Sequence, residues 1–124
     1  MLIEDLMKKP VVIERDMTIM DAAKLMTKHK ISCLIFLVGD KIAGLITHTD
    51  LIAHFGEQKK VSEIMTKQVL TVKVNDKLQK AIDLIREKNV SILPIVDKKG
   101  LLVGVIHSKD ILNEACSNDE FLMD

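Results

Sequence analysis

Residues 44–52 read GLITHTDLI, and residues 104–112 read GVIHSKDIL. Each copy has a glycine, an aliphatic pair, a polar cluster, an aspartate six places after the glycine (Asp50, Asp110), and two more aliphatics. The copies differ three places after the glycine, where one has Thr47 and the other His107. A motif repeated once in 124 residues means a duplicated unit, and internal duplication outranks local propensity as a guide to architecture.

Reading outward, the similarity extends over both halves. KISCLIFLVGDKIAGLIT (30–47) is matched by NVSILPIVDKKGLLVGVIH (89–107). Each is an apolar strand, a polar turn (Gly39-Asp40-Lys41; Asp97 to Gly100) and a second apolar strand, the pattern of a hairpin. Further upstream, Ile19, Ala22, Ala23 and Met26 recur at i, i+3, i+4, i+7, as do Leu78, Ala81, Ile82 and Ile85, which predicts one amphipathic helix per half. Start signals precede them, Asp16 and Thr18 in one half and Asn75 and Asp76 in the other. Short strand candidates, VVIE (11–14) and VLTVKV (69–74), come before each helix, and short helices (51–54, 111–115) follow each motif. GEQKKVSEIM (56–65) is expected to be a linker. The fold class is therefore α+β: two β-α-β-β-α repeats, residues 1–58 and 59–124, expected to pack sheet to sheet as one pseudo-two-fold module. A unit of under about 60 residues is marginal alone, which is why a shared core is expected.

The tandem arrangement, the segments Leu6 to Lys8 and Ile64 to Thr66 that open each half, the run VSILPIVD (90–97) and the two glycine-to-aspartate motifs resemble a pair of CBS domains, often called a Bateman module. The resemblance covers about Leu2 to Ala115. It implies a regulatory, non-catalytic module that takes an adenosine-containing ligand (AMP, ADP, ATP or S-adenosylmethionine) in clefts between the repeats, signals to a partner protein, and forms homodimers. Carried over by position, one site would combine Leu45, Thr47, Asp50, Thr66, Thr71, Val90 and Ser91. The second would combine Lys8, Val12, Ile31, Ser32, Val105, His107 and Asp110. Asp50 and Asp110 would accept hydrogen bonds from ribose hydroxyls, Thr47 would add a hydroxyl, and Val90 would contact an adenine face.

From residue type alone, Asp50 at the start of a helix is either a cap or a ribose acceptor, and one carboxylate can serve both ends. Gly44 lets the backbone turn tightly or be approached closely. His107 supplies no aliphatic hydroxyl; it can hydrogen-bond when neutral, favour a phosphate when charged, or fill the site. The copy with Thr47 is therefore expected to bind better. With only Arg15 and Arg86 available for several phosphates, AMP, or a ligand with no phosphate at all, is favoured over ATP.

Composition excludes other classes. Eighteen basic and eighteen acidic side chains balance, and there is no Trp or Tyr and only three Phe, so neither an electrostatic nor a stacking surface for nucleic acid is expected. No apolar run reaches the roughly 18 residues of a membrane span, and MLIEDLMKK lacks the pattern of a signal peptide. A cytoplasmic location is expected. The four histidines and two cysteines fall in no metal-ligand spacing, Cys33 lies within an apolar strand, and no nucleophile elbow or phosphate loop occurs. No metal or catalytic residue is expected.

Overall fold

The structure, a computed structural model, describes residues 2–111. Along the chain run α1 (Ile3–Leu6), β1 (Val12–Ile13), α2 (Ile19–His29), β2 (Cys33–Val38), β3 (Lys41–Thr47) and α3 (His48–Ala53). The second half continues with α4 (Val61–Ile64), β4 (Val72–Lys73), α5 (Leu78–Lys88), β5 (Ile92–Val96) and β6 (Leu102–His107), and a helical turn begins at residue 108. The expected helix over 111–115 lies, beyond Ile111, outside the described residues, as does Cys116.

The architecture is mixed α+β with two three-stranded sheets, ordered β1-β2-β3 and β4-β5-β6. In each sheet the first pair is parallel and the second is an antiparallel hairpin. The middle strand has both neighbours, so Cys33 to Phe36 of CLIFLV and all of ILPIV are buried, and both read as continuous apolar runs rather than alternating ones. The flanking β1 and β4 shrink to two residues each, shorter than VVIE and VLTVKV suggest. Proline accounts for one difference between the sheets. Ile35 donates its N–H to the Val11 carbonyl (3.1 Å). Pro94, at the equivalent place opposite Val105, has no N–H to give, and β4 begins pairing only at Val72.

Chain order and compactness divide the molecule differently. One compact unit is Pro10–Val69; the other joins Met1–Lys9 to the chain from Leu70 onward. In the first, Ile13, Ile19, Ala22, Met26, Leu34, Phe36, Ile46, Leu51 and Val61 form the core. In the second, Ile3 joins Val72, Ala81, Ile85, Leu93, Ile95, Ile106 and Ile111. The segments that open each repeat supply the last layer of these cores: α4 puts Val61 into one and α1 puts Ile3 into the other, both wholly buried. The expected linker 56–65 thus contains a helical turn, because Val61 and Ile64 are apolar at i, i+3 and have a core to face.

Two start signals act differently from expectation. Thr18 caps α2 through Asp21 N–H (3.1 Å), but the Asp16 carboxylate crosses to α4. It accepts from Ser62 N–H (3.1 Å), from Ser62 Oγ–H (2.5 Å) and from Met17 N–H (3.0 Å). Partial burial would raise its pKa; these hydrogen bonds outweigh that and hold it below the ordinary carboxylate value. In the second half α5 is preceded by Lys77, and Asp76 instead accepts from Lys73 N–H (2.8 Å). Both long helices end on a left-handed residue, Lys30 or Asn89.

Candidate functional site

The motif at Gly44 begins within β3 and ends on α3. Thr47 closes the strand, paired with Cys33, and is also the N-cap of the helix. Its hydroxyl oxygen accepts from Asp50 N–H (3.3 Å), while Asp50 Oδ2 accepts from Thr47 N–H (2.9 Å) and from the Thr47 hydroxyl (3.1 Å). This is a reciprocal capping box, the sequence's S/T-x-x-D pattern made geometric. Asp50 is therefore a cap whatever else it binds, and Oδ1 is the oxygen left over. Its charge, together with burial as the larger cause, pushes the Cys33 thiol up to about 12.

The second copy has the same backbone and different side-chain bonding. His107 closes β6 opposite Ile92, and Ser108 N–H donates to the Ser91 carbonyl (2.8 Å), as His48 N–H does to Ser32 (2.9 Å). With no hydroxyl at 107, no capping box is formed among the described residues. Asp110 turns to Lys8, whose Nζ donates to Oδ1 (3.3 Å) and lies 3.2 Å from Oδ2 without hydrogen-bond geometry. Oδ2 is shielded from solvent and has no hydrogen-bond partner among the described residues. Lys8 is held in place by its backbone, which exchanges two hydrogen bonds with Val105 (2.8 and 2.9 Å). His107 is half-buried. Loss of hydration lowers its pKa, Asp110 opposes this, and Lys8 and Lys109 add to the lowering. At pH 7 the cluster therefore has Lys8, not His107, as its cation.

Two glycines explain how the opening segments reach the strands. Thr66 exchanges backbone hydrogen bonds with Leu45 (2.9 Å each), as Lys8 does with Val105. A Cβ at Gly44 would overlap the Sδ and Cγ of Met65, and one at Gly104 would overlap those of Met7. Neither glycine needs an unusual backbone; each is a seat for a methionine. The sequence signal was present in the I-M-T and L-M-K segments, but nothing local says which strand they cover.

Of the residues assigned to the first site, the structure brings Leu45, Thr47, Asp50 and Thr66 together in one compact unit; Thr71, Val90 and Ser91 stand in the other. Of the second set, Lys8, Val105, His107 and Asp110 gather, while Val12, Ile31 and Ser32 belong to the unit that holds Thr47. A feature with no motif signal is an apolar groove of about 590 Å³ between α2 and α3, lined by Ile19, Met20, Met26, Leu51, Ile52 and Phe55 among others. Phe55 is 77% exposed and Ile52 69% exposed. Among the described residues no three His, Cys, Asp or Glu converge as metal ligands, and no helix is long and apolar enough to cross a membrane.

Comparison with known proteins agrees with this geometry. The profile of the CBS domain matches residues 3–57 and again 61–116. The chain is 36% identical over 110 residues to an inosine-5'-monophosphate dehydrogenase of Methanocaldococcus jannaschii, and 34% over 119 residues to a homoserine O-acetyltransferase of Methanococcus vannielii. These alignments cover 88% and 90% of the chain but only 22% and 24% of the two enzymes, so the chain spans about a quarter of their length. Among solved structures, the CBS domain pair of protein MJ0100, in complex with 5'-methylthioadenosine and S-adenosyl-L-methionine, is 30% identical with a TM-score of 0.86. That match covers 95% of this chain and 98% of that one. The cytosolic domain of the Mg2+ channel MgtE, solved with ATP, shares the fold at 23% identity and a TM-score of 0.79, over 90% of this chain and 48% of that one. The chain belongs to the CBS domain family, as two tandem CBS domains.

Proposed function

We propose that the chain is a non-catalytic cytoplasmic sensor that binds an adenosine-containing ligand through the residue sets centred on Thr47–Asp50 and His107–Asp110, and passes occupancy to a partner protein. The observation that carries this reading is the strand-to-helix motif built twice, each time ending on a partly buried aspartate. It is supported by the likeness to a CBS domain pair solved with two adenosine compounds. A ribose offers two vicinal hydroxyl donors to such a carboxylate, and at Asp50 the oxygen not used in capping is the acceptor. AMP is the favoured ligand: the two arginines are too few to neutralise a triphosphate, and neither belongs to the residue sets.

The test is thermal unfolding with millimolar AMP, ADP, ATP, 5'-methylthioadenosine and S-adenosylmethionine. A ligand bound only by the native state raises the melting temperature. A rise that Asp50→Ala and Asp110→Ala diminish supports the reading, with the larger loss expected for Asp50; no rise with any of them rejects it.

The groove beside α3 favours a complementary reading, self-association. Phe55, Ile52 and Met20 expose apolar surface that the unit containing them does not bury. We propose a homodimer through this face; Phe55→Glu should lower the mass measured by light scattering from dimer to monomer. If no ligand is found, a dimerisation module without ligand is the reading that remains.

A further inference from the structure

In the second motif the charges differ from the first in a way that ligand binding would feel. Lys8 occupies the place that Thr66 has in the other unit, each exchanging backbone hydrogen bonds with the strand residue one past its glycine (Val105, Leu45). One unit thus pairs neutral Thr66 with an aspartate satisfied by its own helix end. The other pairs cationic Lys8 with an aspartate whose Oδ2 is shielded and has no hydrogen-bond donor among the described residues. Asp110 is 19% exposed in its side chain and Lys8 is 55% exposed. The carboxylate is thus the more enclosed of the two, while the ammonium ends a flexible four-carbon stem.

We propose that Lys8 sets the charge preference of the site at Asp110, selecting an adenosine ligand with an anionic group on the sugar over one with a cationic group. This rests on the adenosine reading above and adds to it a selectivity which the motif alone does not contain. Without ligand, Lys8 offsets the Asp110 charge at 3.2–3.3 Å. Ribose hydroxyls can replace it as donors to the carboxylate, beginning at Oδ1, the oxygen that Lys8 vacates. The displaced ammonium stays tethered by the Val105 hydrogen bonds and remains beside whatever the sugar carries. A phosphate there gains an ion pair; the sulfonium of S-adenosylmethionine meets a like charge; the neutral thioether of 5'-methylthioadenosine does neither. His107 does not offset the difference, because burial keeps it neutral at pH 7.

The experiment is a 15N–1H titration of the full chain with AMP, 5'-methylthioadenosine and S-adenosylmethionine, read at the amides of Val105, His107 and Asp110 so that this site is observed alone. The expected order of affinity is AMP, then 5'-methylthioadenosine, then S-adenosylmethionine. Lys8→Met, which keeps most of the stem, should shrink the AMP to S-adenosylmethionine ratio roughly fivefold, the size of one exposed ion pair, and Lys8→Arg should retain it. A ratio unchanged by Lys8→Met while both ligands still bind overturns this inference and leaves the adenosine reading standing. Absence of binding by any adenosine compound at either motif rejects the adenosine reading, and this inference with it.

Discussion

Ile3→Ala probes the unusual division of the molecule. Ile3 is wholly buried, and its neighbours in the core are Val72, Leu93, Ile95 and Ile106, residues some 70 to 100 positions away. The change removes three carbons. At about 0.8 kcal/mol per buried methylene the transfer part is roughly 2.4 kcal/mol. The residual cavity adds to it, which places the total at about 3 kcal/mol, within the usual 2–5 for this substitution. Against a typical domain stability of about 5–15 kcal/mol the variant should still fold. Urea unfolding measures the total, and amide exchange locates it. Protection should fall first in β5 and β6, residues 92–107, although the altered residue is third in the chain. A loss below about 1 kcal/mol would refute the reasoning. So would a loss of protection greater in β2 and β3, residues 33–47, than in β5 and β6.

Three further outcomes follow from the hydrogen bonds and packing. Asp16→Asn should lower stability at neutral pH. The native pKa of Asp16 is depressed, so its contribution is complete above its unfolded value and is lost as pH falls through the native one; the gap between wild type and variant in urea midpoint should hold from pH 7 to about 5 and close in stronger acid. Gly44→Ala should cost about 1–3 kcal/mol because the new methyl displaces Met65, and Met65→Ala in the same chain should restore part of it, a coupling that a double-mutant cycle measures. In a Cys116→Ser background, Cys33 with its thiol near 12 should react with a disulfide reagent at pH 8 only as fast as the unit opens, so urea should accelerate labelling steeply.

Period and repetition made the large elements legible. The i, i+3, i+4, i+7 spacing placed α2 and α5, and the two apolar runs around Gly39 and around Asp97–Gly100 placed both hairpins, because burial on one or both faces writes itself into the order of residues. The exchange of opening segments was not legible. Ile3 and Val61 are ordinary aliphatics in short amphipathic turns, and which sheet they cover is decided by distant packing. Asp16 looked like a cap since Asp commonly is one; its partner Ser62 lies 46 residues on, and no local rule reaches that far. At the candidate site the residue types were readable and their bonding was not. Thr47 and His107 differ by one letter, yet the consequence passes to Asp50 and Asp110, and from Asp110 to Lys8.

The exchange of opening segments also has a consequence for how the protein is made. Synthesis runs from the N-terminus, so everything in the Pro10–Val69 unit has been made before β5 exists. That unit can close early. The first nine residues, with Ile3, Leu6 and Met7 among them, have nowhere to go until β6 is complete, about a hundred residues later. For that interval, which lasts roughly 5–20 s at ordinary elongation rates, the segment keeps its apolar side chains exposed, the condition under which nascent chains associate wrongly. Glu4 and Asp5 lie among those apolar residues, and charges so placed oppose association of an exposed apolar segment.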